Sequence, residues 1–95
     1  MKIRATPADH QLKILRKLDA GAQILLTSKE GSTYAITMND VVIQVVRVDT
    51  LHSMVINEWI AANNERGRYE LTKRGRDFVD ARAYIRGLVE LQEAS

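Results

Sequence analysis

D-T-L-H-S-M-V-I-N-E-W-I-A-A-N-N-E-R-G-R-Y-E-L-T-K-R-G-R-D-F-V, residues 49–79, reads as helix, strand, tight turn, strand and helix. Asp49 is a candidate N-cap for a helix over residues 49–57, whose inward face is Leu51, Met54 and Val55, the i, i+3, i+4 spacing of one helical side. Trp59, Ile60 and Ala61 follow as a short strand. Asn63, Asn64 and Gly67 tolerate left-handed backbone angles, so Arg68 to Leu71 can return as a second strand and close a hairpin over residues 59–71. Thr72 offers a side-chain oxygen to the free amides of a last helix, predicted over residues 73–92.

V-D-T-L-H-S-M-V-I-N-E-W-I at residues 48–60 and G-R-Y-E-L-T-K-R-G at residues 67–75 resemble, in that order, two parts of the bacterial winged-helix transcription regulators. The first is similar to their recognition helix and its run into the wing. The second is similar to their returning wing strand, Y-x-L-T-x-x-G, with Tyr69, Leu71, Thr72 and Gly75 in place. The resemblance covers about a third of the chain. It implies an α+β fold: a small winged helix-turn-helix, here with an additional N-terminal β-hairpin and a long C-terminal helix. Two departures stand out. Glu58 occupies the place where the family usually has Gly, and the helix over 49–57 carries no Lys or Arg.

The chain has 95 residues, enough for one domain with a modest core. With 45% hydrophobic and 27% charged residues, its composition is that of an ordinary soluble domain. It contains no cysteine, which removes disulfides and thiolate chemistry and fits a reducing cytoplasm. Residues 1–10 hold no apolar run of the signal-peptide kind, and no apolar stretch is long enough to span a membrane. The net charge is +2, but five of the 14 cations fall at Lys2, Arg4, Lys13, Arg16 and Lys17 and five more at Arg66, Arg68, Lys73, Arg74 and Arg76. A phosphate backbone rewards such clustering; solubilising surface charge is the alternative, and the wing cluster favours the first reading because a hairpin projects it.

Earlier in the chain, a helix is expected from Pro7 to Ala20, with Thr6 as N-cap, Pro7 at the first helical position and Gly21 as left-handed C-cap. Ala8, Leu12, Leu15 and Leu18 form its buried stripe, with Ile14 at the edge. Residues 22–28 and 33–38 alternate as strands joined by a turn at 29–32, with Ile24, Leu26, Tyr34, Ile36 and Met38 on the more apolar sides. Residues 40–48 divide the criteria. Their β-branched run favours a strand, whereas their place before a recognition helix favours, by a small margin, a short supporting helix with Val42, Val45 and Val46 inward. The last helix carries Phe78, Ala81, Ile85 and Leu88 on one stripe and Tyr84 and Leu91 beside it. That is more apolar length than a small core needs; either a homodimer through this helix covers it, or the hairpin or the first helix does.

The function implied is binding of duplex DNA by a small transcriptional or mobile-element regulator. Arg47, Thr50, His52, Ser53 and Asn57 would face bases and phosphates from the recognition helix, Arg66 and Arg68 would reach from the wing, and Lys73 and Arg74 would add backbone contacts. A winged domain turned to protein binding, as an inhibitor or adaptor, is the second reading, because Asp49, Glu58 and Ile56 repel phosphate or invite an apolar partner. His10 and His52 lie on different helices and no catalytic motif is present, so neither enzymatic activity, a metal nor a cofactor is expected.

Overall fold

The computed structural model describes residues 6–80. Its elements are α1 (Asp9–Asp19), β1 (Gln23–Glu30), β2 (Thr33–Met38), β3 (Val41–Arg47), α2 (Val48–Ile56), β4 (Ile60–Asn63) and β5 (Arg68–Leu71), with a further helix, α3, over residues 73–80. The strands form one antiparallel five-stranded sheet in the order β3-β2-β1-β5-β4. Leu12, Ile14 and Leu15 of α1 and Leu51 and Met54 of α2 share a core with Ile24, Tyr34, Ile36 and Val46 of the sheet. Trp59, Ile60 and Val79 complete it.

The first helix is shorter than its sequence signals. Ala8, not Thr6, is its N-cap, and the Gln11 side chain accepts the Ala8 amide at 3.0 Å. That back-bond buries Gln11, while Ala8, expected in the buried stripe, is exposed. The helix ends as expected at Gly21, with φ +109°. The Gly21 amide donates to the Leu18 carbonyl at 3.1 Å and the Ala22 amide to Lys17 at 2.9 Å, the paired bonds of a Schellman cap.

The β1–β2 hairpin is present, and its apolar side packs under the helices, with Ile24 and Ile36 fully buried. Residues 40–48 correct the expectation of a supporting helix: Val41–Arg47 is strand β3, paired along β2 from Met38–Val41 to Thr33–Arg47. The physical reason is local. Branched side chains at 41, 42, 43, 45 and 46 favour extended backbone, and Asn39 and Asp40 take φ +52° and +65°, the two positive values of a tight two-residue hairpin turn. α2 is therefore preceded by a strand, and no helix stands where a helix-turn-helix would put its first one. The N-cap of α2 is likewise Arg47 rather than Asp49, which sits in the first turn.

Within α3, Phe78 meets the Trp59 ring edge-on at 6.0 Å and Val79 is buried. Arg76 reaches Asp19 at the end of α1 at 3.7 Å. The expectations for Ala81, Tyr84, Ile85, Leu88 and Leu91, and the dimer through them, lie outside the described residues, as do Lys2 and Arg4.

Tyr69 of β5 and Tyr34 of β2 reach across the inner side of β1, their rings edge-to-face at 5.7 Å and their hydroxyls 3.5 Å apart. Burial, then the hydrogen bond to Tyr34, pushes the Tyr69 phenol up to about 12. The folded state therefore holds this proton more tightly than the unfolded chain, whose phenols titrate near 10. The contribution is complete below about pH 10 and is lost as pH rises towards 12. Urea melts between pH 9 and 12 are expected to show falling stability, and Tyr69→Phe should flatten that fall.

Candidate nucleic-acid interface

The site is built on the way α2 ends. Asn57 is the C-cap, Glu58 follows at φ +62°, and the Glu58 and Trp59 amides donate to the Val55 and Met54 carbonyls at 2.9 and 3.0 Å. This is the same Schellman cap that closes α1, with glutamate where α1 has glycine. The place where the resembled family carries Gly is thus a left-handed position here, occupied by a residue that pays a steric penalty for it.

From this cap the chain enters β4 directly, and the junction is held from the other side. The Thr72 amide donates to the Trp59 carbonyl at 3.0 Å, and the Thr72 hydroxyl donates to the Glu58 carbonyl. The same hydroxyl oxygen accepts the Gly75 amide at 3.0 Å, which makes Thr72 the N-cap of α3, as its sequence position suggested. A Cβ on residue 75 would overlap the Trp59 carbonyl oxygen, so that position requires glycine. In structural terms, L-T-x-x-G is a clamp: Leu71 packs on the core, Thr72 ties two elements, and Gly75 allows the close approach.

The predicted site residues fall on this frame unequally. On α2, His52 is exposed, whereas Thr50 is half-buried and Ser53 is half-buried within 3.4 Å of the Gln11 amide nitrogen. Asn57 is turned back, its Nδ2 donating to the Ser53 carbonyl at 2.8 Å. Ile56 is the most exposed large apolar residue of the described chain, at 78%. Arg47, at the start of α2, pairs with Asp49 at 3.5 Å, and Arg74 pairs with Glu58 at 3.6 Å. Lys73 is exposed at the first turn of α3.

On the hairpin, Glu70 is the organising group, and it was not among the residues singled out from the sequence. Its Oε1 receives Asn63 Nδ2 at 2.9 Å and lies 3.7 Å from Arg66 and 3.6 Å from Arg68. Asn63 Oδ1 in turn accepts the Arg66 amide at 3.1 Å, fixing the turn. The signal was available: residues 68 and 70 lie two apart on one strand, hence on one face, opposite Asn63 and Ala61 of β4. These ion pairs are longer than the 2.7–2.9 Å of a strong charge-assisted bond and are solvent-accessible, so each holds its arginine only weakly.

Among the described residues no cluster of His, Cys, Asp and Glu could hold a metal ion, and no helix is long and apolar enough to cross a membrane. Comparison with protein-family models, with curated proteins and with solved structures finds no match for the chain.

Two substitutions test the junction. Gly75→Ala should destabilise the fold by about 1–3 kcal/mol in urea titration, because overpacking against Trp59 outweighs alanine's better helix propensity. Glu58→Gly should stabilise it by up to about 1 kcal/mol, since relief of the left-handed strain exceeds the loss of an exposed ion pair to Arg74.

Proposed function

We propose that this is a winged-helix-like protein that binds duplex DNA and acts as a small transcriptional or mobile-element regulator. α2 approaches the major groove, and the β4–β5 hairpin carries Arg66 and Arg68 to the phosphates or the minor groove beside it. The observation that supports this most is the rigid junction: an exposed helix runs through a two-residue cap into an arginine-bearing hairpin, and Thr72 and Gly75 hold the two as one unit. The β1-β5-β4 part of the sheet, with the hairpin returning beside β1, is the layout a wing requires. Lys73 and Arg74 extend the cationic surface from the hairpin's base.

The arginines meet carboxylates in the free protein, and this shapes the mechanism. Glu70 holds Arg66 and Arg68 in reach of solvent, and a phosphate competes for the same guanidinium groups. Affinity is then mostly electrostatic and nonspecific. The helix supplies few base-reading groups, since Asn57 is committed to the Ser53 carbonyl, Thr50 and Ser53 are half-buried, and His52 alone of these four is exposed.

The second reading, docking of a protein partner, is favoured by one observation. Exposed Ile56 lies between Asp49 and Glu58, both also exposed, which is a surface suited to an apolar contact ringed by charge.

Fluorescence anisotropy of a labelled random-sequence duplex at several salt concentrations tests the proposal. Binding should weaken steeply with salt. Replacing Arg66 and Arg68 together with alanine should lower the log–log salt slope by about 2, on the order of 0.9 per lost phosphate contact. Glu70→Gln should tighten binding several-fold by freeing both arginines. Absence of binding by the parent protein at low salt would defeat the DNA reading and leave the Ile56 surface as the one to pursue.

A further inference from the structure

β3 is the outermost strand of the sheet, seven residues long, and on its far side no described strand pairs with it. Its exposed side chains before Arg47 are apolar: Val41 is 62% exposed, Val42 57%, Ile43 45% and Val45 60%. Between residues 41 and 46 there is no charge and no proline, the usual means by which an edge strand is kept from pairing. The charges lie only at its two ends, Asp40 before it and Arg47 closing it. By contrast, the opposite edge of the sheet, β4, is only four residues long.

We propose that a second copy of this chain pairs with the outer edge of β3, antiparallel and about a two-fold axis. The register follows from a bulge. Ile36 pairs with Gln44 and the next residue of β2, Thr37, with Val42, so Ile43 is an extra residue. Val46 is buried in the core and Gln44 bonds Lys17 of α1, which puts both on the helix-covered face. Val45, opposite Ala35, lies on the open face; because the bulge resets the alternation, Val42, opposite Thr37, lies on that face too, and Val41 returns to the inner one. Setting Arg47 of one copy against Asp40 of the other then matches Val46 with Val41 and Val45 with Val42, each pair on a single face. In an unbulged strand this offset would set inward residues against outward ones. Here it joins opposite charges at both ends and valine to valine inside them, with Ile43 of each copy beside Gln44 of the other at the two-fold axis.

Such pairing is isologous and closes on itself, using the apolar edge of each copy and leaving no further strand exposed on that side. It does not depend on DNA binding, and its outcome is independent of the anisotropy result.

The absence of cysteine makes the register directly testable. Sedimentation equilibrium of the full chain should show a concentration-dependent dimer, and Val45→Lys should shift it to monomer with an unchanged circular dichroism spectrum. Under mild oxidation the double variant V42C/V45C should form a covalent dimer, whereas V42C or V45C alone should not, because like positions of the two copies lie about three strand residues, or roughly 10 Å, apart. A chain that stays monomeric at every concentration, with the edge covered by residues 81–95 or by nothing, would overturn the proposal. So would a dimer indifferent to Val45→Lys, or single variants that cross-link as readily as the double one.

Discussion

The Trp59 peptide is the constraint on which the rest of this structure depends. Its N–H closes the cap of α2 on Met54, its carbonyl accepts Thr72 ahead of α3, and its ring is buried against Phe78. One residue thus fixes the exit of α2, the entry of the β4–β5 hairpin and the approach of α3. The approach is so close that α3 carries glycine at residue 75 where it crosses the carbonyl. The backbone of such a residue cannot shift without moving three elements, which ties the helix, the hairpin and α3 to one another.

The same constraint explains how Glu58 is tolerated. A non-glycine residue in the left-handed region costs roughly 1–2 kcal/mol, about what one or two net hydrogen bonds return. Here its own amide, the Trp59 amide and the Thr72 hydroxyl all bond across that turn, so the conformation is over-determined from both sides. Glutamate then adds a carboxylate beside Arg74. The pattern recurs along the interface, with Asp49 beside Arg47 and Glu70 between Arg66 and Arg68. A count of cations in the sequence overstates the free charge, because the carboxylates are distributed at strand and turn spacings that bring them back to the arginines.

How much could be read from the sequence follows from how local each signal is. The inward set Leu51, Met54 and Val55, the β1–β2 hairpin, the Gly21 cap and the Thr72 cap depend on residues within a turn of one another, and all stand in the structure. Thr6 failed as a cap because a competing local bond, from the Ala8 amide to Gln11, sets the helix start later. The side-chain commitments of Ser53 and Asn57 were not legible: one depends on a residue 42 positions away, the other on which way a short amide turns. Residues 40–48 differ for another reason: their β-branched composition is a local signal and prevails over the helix that a resembled topology would place there.

A strand at residues 41–47 changes what the sheet must do. A supporting helix would have turned Val42, Val45 and Val46 inward and left the two hairpins as a four-stranded sheet. As strand β3, the same residues bury only Val46 and carry the others to an edge and an open face. The sheet gains one strand, β3, at its outer edge, and α2 inherits its start from the end of that strand at Arg47. Whatever occupies the β3 edge therefore acts directly on the first turn of α2. The apolar edge and the candidate recognition helix are consecutive in the chain and mechanically continuous, so pairing at one would fix the orientation of the other.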